Sequence, residues 1–472
     1  MNGRTVAAEP PSSEIYSPQR RTALVLSGVG TAGAYHAGVL RALQEAGVKI
    51  DIVAGRGIGA IGALFAAIDS GHRLWDDKGF WRSPAVRELY AWRPVVRFVG
   101  WALAASVLLV TLPLAVVAVG LIVFPIDFAM KLFGASAAWG LVPKYLSVTQ
   151  TLFSPEALPT WLPRLVVIAM GITAAVAFAA VIVGSGDRRG RGAFWWRFAA
   201  GPLSTSTAVD HCWNTVWDLL RGAAPLKAPS PLDMARRYTE LLTENLGQPG
   251  FRELLVSVHD IDARRDLVFA ILAEPRRREL IRRATTQAAE ARKAEVLDLS
   301  GVARDHLADA IAASLSVPLA TDLHWIKFSP DSYWRGETHR ICDRPGGLWR
   351  LFEELTFLDV EQVIFVSAAP EEASPHMLAF PRLDGRGRLG EYLLSSEASL
   401  VRDVTVSLAS ALRLFTIRPS HNPLGPFEFV GGFDDRSDRP HSLNELLAQG
   451  YEDAYRQFVE PVVGASGERV GG

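Results

Sequence analysis

RTALVLSGVGTAGAYHAGVLRALQEAGVKIDIVAGRGIGAIGALFAA, from Arg21 to Ala67, decides the fold. Ala23-Leu24-Val25-Leu26 is a short, wholly apolar run, as expected of a strand buried on both faces of a parallel sheet. Ser27 to Gly33 is a glycine-rich turn. The helix predicted from Ala34 to Ala46 sets Val39, Leu40 and Leu43 on one face, and Gly47 stops it. Val48 to Ala54 reads as the next strand. Gly55 to Gly59 then turn sharply into a second helix, Ala60 to Asp69. Strands separated by helices of this length predict an α/β fold with a mostly parallel sheet.

The 472 residues leave room for two or three domains, or for one large domain with an insertion. A net charge of −1 with 21% charged residues excludes a general electrostatic attraction to nucleic acid. The two cysteines, Cys212 and Cys342, lie far apart and outside any metal-ligand spacing, so neither a disulfide framework nor a zinc site is expected. The 49% apolar content and a mean hydropathy of +0.15 need a local cause.

That cause is a pair of uncharged runs, Phe98 to Ile126 and Leu165 to Gly186. About 20 apolar residues cross a bilayer as a helix. Both runs qualify, and soluble core helices rarely stay uncharged all round for this long. Arg82, Arg87, Arg93 and Arg97 precede the first run; Arg188, Arg189, Arg191 and Arg197 follow the second. The positive-inside rule puts these flanks in the cytoplasm and the connector, 127–164, outside. Phe194-Trp195-Trp196 and Phe198 suit an interfacial belt. A transmembrane helical hairpin therefore interrupts the α/β domain. The expected organisation is a disordered tail over 1–19, α/β domain over 20–93, hairpin insertion over 94–186, α/β domain again over 187–462 and a second tail over 463–472. The expected location is the cytoplasmic membrane, multi-pass, with the α/β domain in the cytoplasm.

Beyond the hairpin, Arg252 to Ile261 and Asp266 to Ala273 read as two strands around a tight turn. The segment holding Arg276, Arg277, Arg278, Arg282, Arg283, Arg292 and Lys293 reads as a solvated basic helix face; contact with anionic headgroups is the sharper alternative. His306 to Pro318 is a helix, Val360 to Val366 a buried strand, Ser367 to Gly387 a loop and Leu400 to Phe415 an amphipathic helix. A closing helix starts near Ser442, with Glu445 three residues on, as in a capping box.

Two chemistries fit the glycine turns. Gly28-x-Gly30-x-x-Gly33 matches the dinucleotide fingerprint, with Asp51 as the ribose carboxylate. Alternatively, the loop aims backbone N–H groups into a cleft as an oxyanion hole, beside a nucleophile elbow at Gly55 to Gly59. The elbow's nucleophile slot holds Gly57. No other G-x-S-x-G occurs; Ser27 and Thr31 lie in the loop rather than at an elbow. His36 reads as a helix-face residue rather than a base.

These stretches resemble the patatin-like phospholipases. The resemblance rests on LVLSGVGTAGAYHAGVLRAL, where the family has a Gly-Gly-Gly-x-Arg-Gly-type loop, and on VAGRGIGAIGALFAA, where it has G-x-S-x-G. It continues in AIAASLSVPL and in ICDRPGG, where the family carries Asp-Gly-Gly/Ala. It implies an α/β sandwich and a Ser–Asp dyad that hydrolyses lipid esters with no metal or cofactor. On that mapping Gly28, Val29, Gly30 and Gly33 form the oxyanion loop, Gly57 fills the serine slot and Asp343 is the dyad acid. The departures are Val29 for a glycine, Ala32 for the arginine, Gly57 for the serine and Arg344 after the acid. Losing the nucleophile of a coupled catalytic unit costs on the order of 10⁶ in rate. The expected function is a membrane-anchored, catalytically impaired protein that binds membrane lipids or acyl chains, or serves as a scaffold. The alternatives are an active lipid acyl hydrolase with an unrecognised nucleophile and a nucleotide-binding protein using Gly28 to Gly33.

Overall fold

The structure is a computed structural model, and it describes residues 16–134, 140–154, 156, 158–184, 201–222, 224, 226–281, 292–370, 384–408, 411–434 and 439–463. The chain divides into two compact units, Trp92–Pro202 and the remainder, Met1–Ala91 with Leu203–Gly472.

The larger unit is built on strands β1 (Thr22–Gly28), β2 (Ile52–Gly57), β3 (Glu253–Asp260), β4 (Arg265–Ile271), β5 (Val296–Asp298), β6 (His324–Lys327), β7 (Thr338–Cys342), β8 (Gln362–Ser367) and β9 (Arg413–Ile417). They form one sheet in the order β5-β4-β3-β2-β1-β8-β9. β3, β2, β1, β8 and β9 run parallel; β4 is antiparallel to β3, as the tight turn between them requires. β7 pairs antiparallel with the end of β3, and β6 with β7. The fold is therefore α/β with a mixed, mostly parallel sheet.

The apolar run in β1 is continuous because both faces are covered. Leu24 and Leu26 join the larger core with helices α1 (Ala32–Glu45) and α2 (Gly59–Ala67). Ala23 and Val25 join a second core with the Gly347–Phe357 helix and Val401. The chain between α1 and β2 closes the helix rather than extending the strand. Gly47 has a φ of 65°, its N–H reaches the Gln44 carbonyl, and the Val48 N–H reaches Leu43. β2 consequently starts at Ile52, not Val48, and runs on to Gly57.

Other boundaries also move. Tyr16 is fully buried and its hydroxyl donates to the Lys49 carbonyl, so the packed domain begins before residue 20. Residues 1–15 and 464–472 of the expected tails lie outside the described residues. The predicted Leu400–Phe415 helix is instead the end of a helix over Gly385–Leu408, followed by β9 from Arg413. Ser442 caps the Leu443–Ala454 helix, accepting from the Glu445 N–H.

The Trp92–Pro202 unit contains helices Pro94–Leu132, Leu141–Leu152 and Leu158–Gly184. The long helix packs on both of the others. Among the described residues one stretch, Leu114–Leu132, is long and apolar enough to cross a membrane. Pro94–Leu108 and Arg164–Val176 are shorter apolar stretches. The connector includes a helix that folds back on the first: Tyr145 donates to the Val116 carbonyl at 3.0 Å and packs edge-on against Phe124. Ser185 and Gly186, Arg188, Arg189, Arg191, the Phe194–Trp196 cluster, Arg197 and Phe198 lie outside the described residues.

Candidate functional site

The β1–β2 register pairs Gly28 with Gly57, which sets the glycine loop beside the elbow. On the other side of β2, the end of β3 pairs with β7 through His259 and Cys342, and this carries Asp343 to the same sheet edge. The Asp343 N–H is fixed on the Ser316 carbonyl at 2.8 Å.

Gly57 has the left-handed φ of 58° that a nucleophile elbow demands. A Cβ there would lie 3.1 Å from Oδ2 of Asp343, so the expected acid does face the expected nucleophile slot. The same Cβ would lie 2.2 Å from the carbonyl oxygen of Gly28. The Ile58 N–H, the amide following the slot, donates to that carbonyl at 2.9 Å. Glycine is therefore what allows β1 and the elbow to close on each other.

The loop is also engaged. The Thr31 N–H donates to the Pro426 carbonyl at 2.9 Å, and the Thr31 hydroxyl donates to the Gly425 carbonyl at 2.9 Å. A Cβ on Gly30 would lie 1.7 Å from the Pro426 oxygen. The N–H groups of Ala32 and Gly33 turn to the Val29 and Gly30 carbonyls. Val29 is buried, and a Cβ on Gly33 would meet the Trp81 ring at 2.1 Å. The segment carrying Pro426 is held down on both sides. Phe427 and Phe429 are buried and pack on the Tyr90 ring, Arg386 donates to the Phe427 carbonyl, and Asn422 donates to Ala368.

Between loop and acid sits Arg56, which is 1% exposed. Its Nη1 donates to both oxygens of Asp343 at 3.0 Å, its Nη2 to Glu397 at 2.9 Å and its Nε to the Ser27 hydroxyl at 3.1 Å. Ser27 and Ser367 each donate to Oε1 of Glu397. Burial lowers the Arg56 pKa, but Asp343 and Glu397 outweigh it and hold the guanidinium above its ordinary range. Burial pushes Asp343 up to about 6; Arg56 opposes this and the Glu397 charge adds to it. Two carboxylates share one guanidinium, so Asp343 gives way by taking a proton more readily.

The structure also places the remaining residues singled out in the sequence. His36 stands on α1, on the helix face buried beneath the loop, its Nε2 bonded to the Ser27 carbonyl at 3.0 Å. Burial lowers its pKa to about 4, so the ring is neutral at pH 7. Asp51 precedes β2 and accepts from the Thr22 N–H at the start of β1, so β1 separates it from the loop and it cannot serve a nucleotide there. Arg276, Arg277 and Arg292 are paired with Glu253, Asp298 and Glu354, rather than forming a free basic face; Arg282 and Arg283 lie outside the described residues. Among the described residues no cluster of three or more His, Cys, Asp or Glu is placed to hold a metal ion.

Sequence reading missed Arg56, Glu397, Tyr90 and Pro426. Arg56 carried a signal: a lone charge in an apolar strand needs a buried partner. Glu397 and Pro426 carried none, lying more than 300 residues away.

The patatin-like phospholipase family model matches residues 24–343. Patatin-like phospholipase domain-containing protein 6 of Mus musculus is 56% identical over 52 residues, 11% of this chain and 4% of that protein. Lysophospholipase nte1 of Aspergillus fumigatus is 52% identical over 48 residues, 10% of this chain and 3% of that protein. The chain thus matches only a small part of the length of these relatives. VipD from Legionella pneumophila aligns over 95% of this chain and 67% of its own, at 13% identity and a TM-score of 0.30. With the family model covering two-thirds of its length, the chain belongs to the patatin-like phospholipase family.

Proposed function

We propose that this protein is a membrane-anchored patatin-like pseudoenzyme: it keeps the fold, binds membrane lipids or acyl chains, and does not hydrolyse them at the family centre. One observation carries the reading. The nucleophile slot, Gly57, stands 3.1 Å (measured from a Cβ) from the Asp343 carboxylate, but the same position is closed at 2.2 Å by the Gly28 backbone. A serine would need the strand edge to move. Three N–H groups around the slot are already bonded, Ile58 to Gly28, Thr31 to Pro426 and Gly33 to Gly30, while Arg56 occupies the acid. Acyl transfer needs a free nucleophile and donors aimed at the developing oxyanion; here the slot carries no nucleophile, and the Ile58, Thr31 and Gly33 N–H groups are held by carbonyls of the chain.

The anchoring part of the reading rests on Leu114–Leu132 and on the uncharged runs around it. The basic flanks favour an α/β unit on the cytoplasmic side of the inner membrane.

A fluorophosphonate probe tests the catalytic part. The wild-type protein in membranes is expected to show no specific serine labelling. Labelling that Asp343→Asn abolishes would overturn the proposal. For topology, both native cysteines are buried. Ser147→Cys should therefore be the main site of modification by an impermeant maleimide added from the extracytoplasmic side; modification only after permeabilisation would refute the orientation.

A further inference from the structure

A cleft of about 1240 Å³ opens in the larger unit, and none of Gly28, Gly30, Gly57 or Asp343 lines it. It lies among the Ser206–Leu220, Pro231–Asn245 and Leu307–Ser314 helices and β6. Leu232, 40% exposed, adds apolar surface to its wall, and the buried Trp213 and Phe328 pack behind it. Val302 and Trp325, both 54% exposed, stand at its edge. Large exposed apolar side chains gathered around a concavity mark binding surfaces more often than chance exposure does.

The polar groups divide into those already satisfied and those not. Arg236 is bidentate on Asp305, at 2.7 and 3.0 Å. His306 and His324 share the Asp309 carboxylate, at 2.9 and 2.8 Å, tying the helix to β6 across the cleft wall. Among the described residues, Arg304 and Lys327 make no ion pair, although Arg304 lies within electrostatic reach of Asp305, and Asp331 is the lining carboxylate likewise without an ion pair. Two cations outside any ion pair against one such carboxylate, beside exposed aromatic and aliphatic side chains, complement a ligand with one anionic end and one apolar end.

We propose that this cleft binds a single-chain anionic amphiphile, its carboxylate or phosphate head at Arg304 and Lys327 and its chain along Leu232, Val302 and Trp325. This rests on the lipid-binding part of the function above, and not on closure of the Gly57 centre.

The test uses the full chain in nanodiscs of zwitterionic phospholipid, titrated with dodecanoate, dodecyl phosphate and uncharged dodecyl maltoside. Both anions, or one of them, should bind saturably; which one does identifies the head. Arg304→Gln with Lys327→Gln, both at exposed positions, should weaken that binding at least tenfold while thermal stability is unchanged. A bromine-labelled fatty acid should quench fluorescence in the wild type, and Trp325→Phe should remove part of that quenching. Equal affinity in the double variant, or equal affinity for dodecyl maltoside, overturns the cleft proposal and leaves general lipid binding standing. No saturable binding of either anion overturns the cleft as well; retention of phospholipid by the purified protein then decides the broader reading separately.

Discussion

Nη1 of Arg56 lies 3.0 Å from both carboxylate oxygens of Asp343, and neither side chain is more than 2% exposed. The residue before the nucleophile slot thus clamps the residue that would orient the nucleophile. The geometry couples the fate of the centre to a buried ion network, which also includes Glu397.

Arg56→Met should be strongly destabilising, because it strands Asp343 and Glu397 as buried, unpaired carboxylates. Breaking a buried pair from one side costs about 3–5 kcal/mol. Urea denaturation should register that loss. Adding Glu397→Gln should recover part of it, since one stranded charge is then removed. Additive losses in the double variant would show that the two residues do not share a network.

Stability should also depend on pH through Asp343. Its folded-state pKa, about 6, lies above the ordinary 3.8. The folded protein therefore holds this proton more tightly than the unfolded chain does, and the resulting stability is present at low pH and lost as pH rises from about 4 through 6. Asp343→Asn removes the titration and keeps an acceptor for Arg56. The difference in stability between wild type and variant should shift against the wild type across that window. A constant difference from pH 4 to 7 would refute the assignment.

Gly57→Ser should not restore hydrolysis. A side chain at a φ of 58° costs about 1–2 kcal/mol, and the 2.2 Å approach to Gly28 adds overpacking of about 1–3 kcal/mol. The variant should melt lower than wild type, and p-nitrophenyl butyrate turnover should stay at the buffer rate. Turnover at wild-type stability would show that β1 and the elbow separate easily.

Gly30 and Gly222 share nearly the same left-handed φ, 58° and 57°. A Cβ added to Gly222 would meet nothing within 4 Å, whereas one on Gly30 would face the Pro426 carbonyl at 1.7 Å. Gly222→Ala should cost only the left-handed penalty, about 1 kcal/mol. Gly30→Ala should cost more by about 1–3 kcal/mol, because the Pro426 segment must lift. Equal melting shifts would mean that this segment is not seated on the loop.

Much of the fold was legible between Arg21 and Ala67. Residues 23–26 had to be apolar at every position because both faces of β1 are covered, and that constraint is written in consecutive residues. β2 starts four residues later than hydropathy predicts because Val48 serves the helix end, a distinction set by backbone bonds and not by hydropathy. The family motifs led to Gly28, Gly57 and Asp343, and the structure brings these together.

The strand-turn-helix units, the uncharged runs and the missing hydroxyl at Gly57 are properties of contiguous residues and can be read directly along the chain. What fills the centre comes from residues far apart in the chain. Arg56 had to find its counter-charges on residues 343 and 397, and the glycine loop its acceptor on residue 426. A buried charge or N–H fixes that a partner must exist. Which distant residue answers depends on how the sheet edge and the helices close around it.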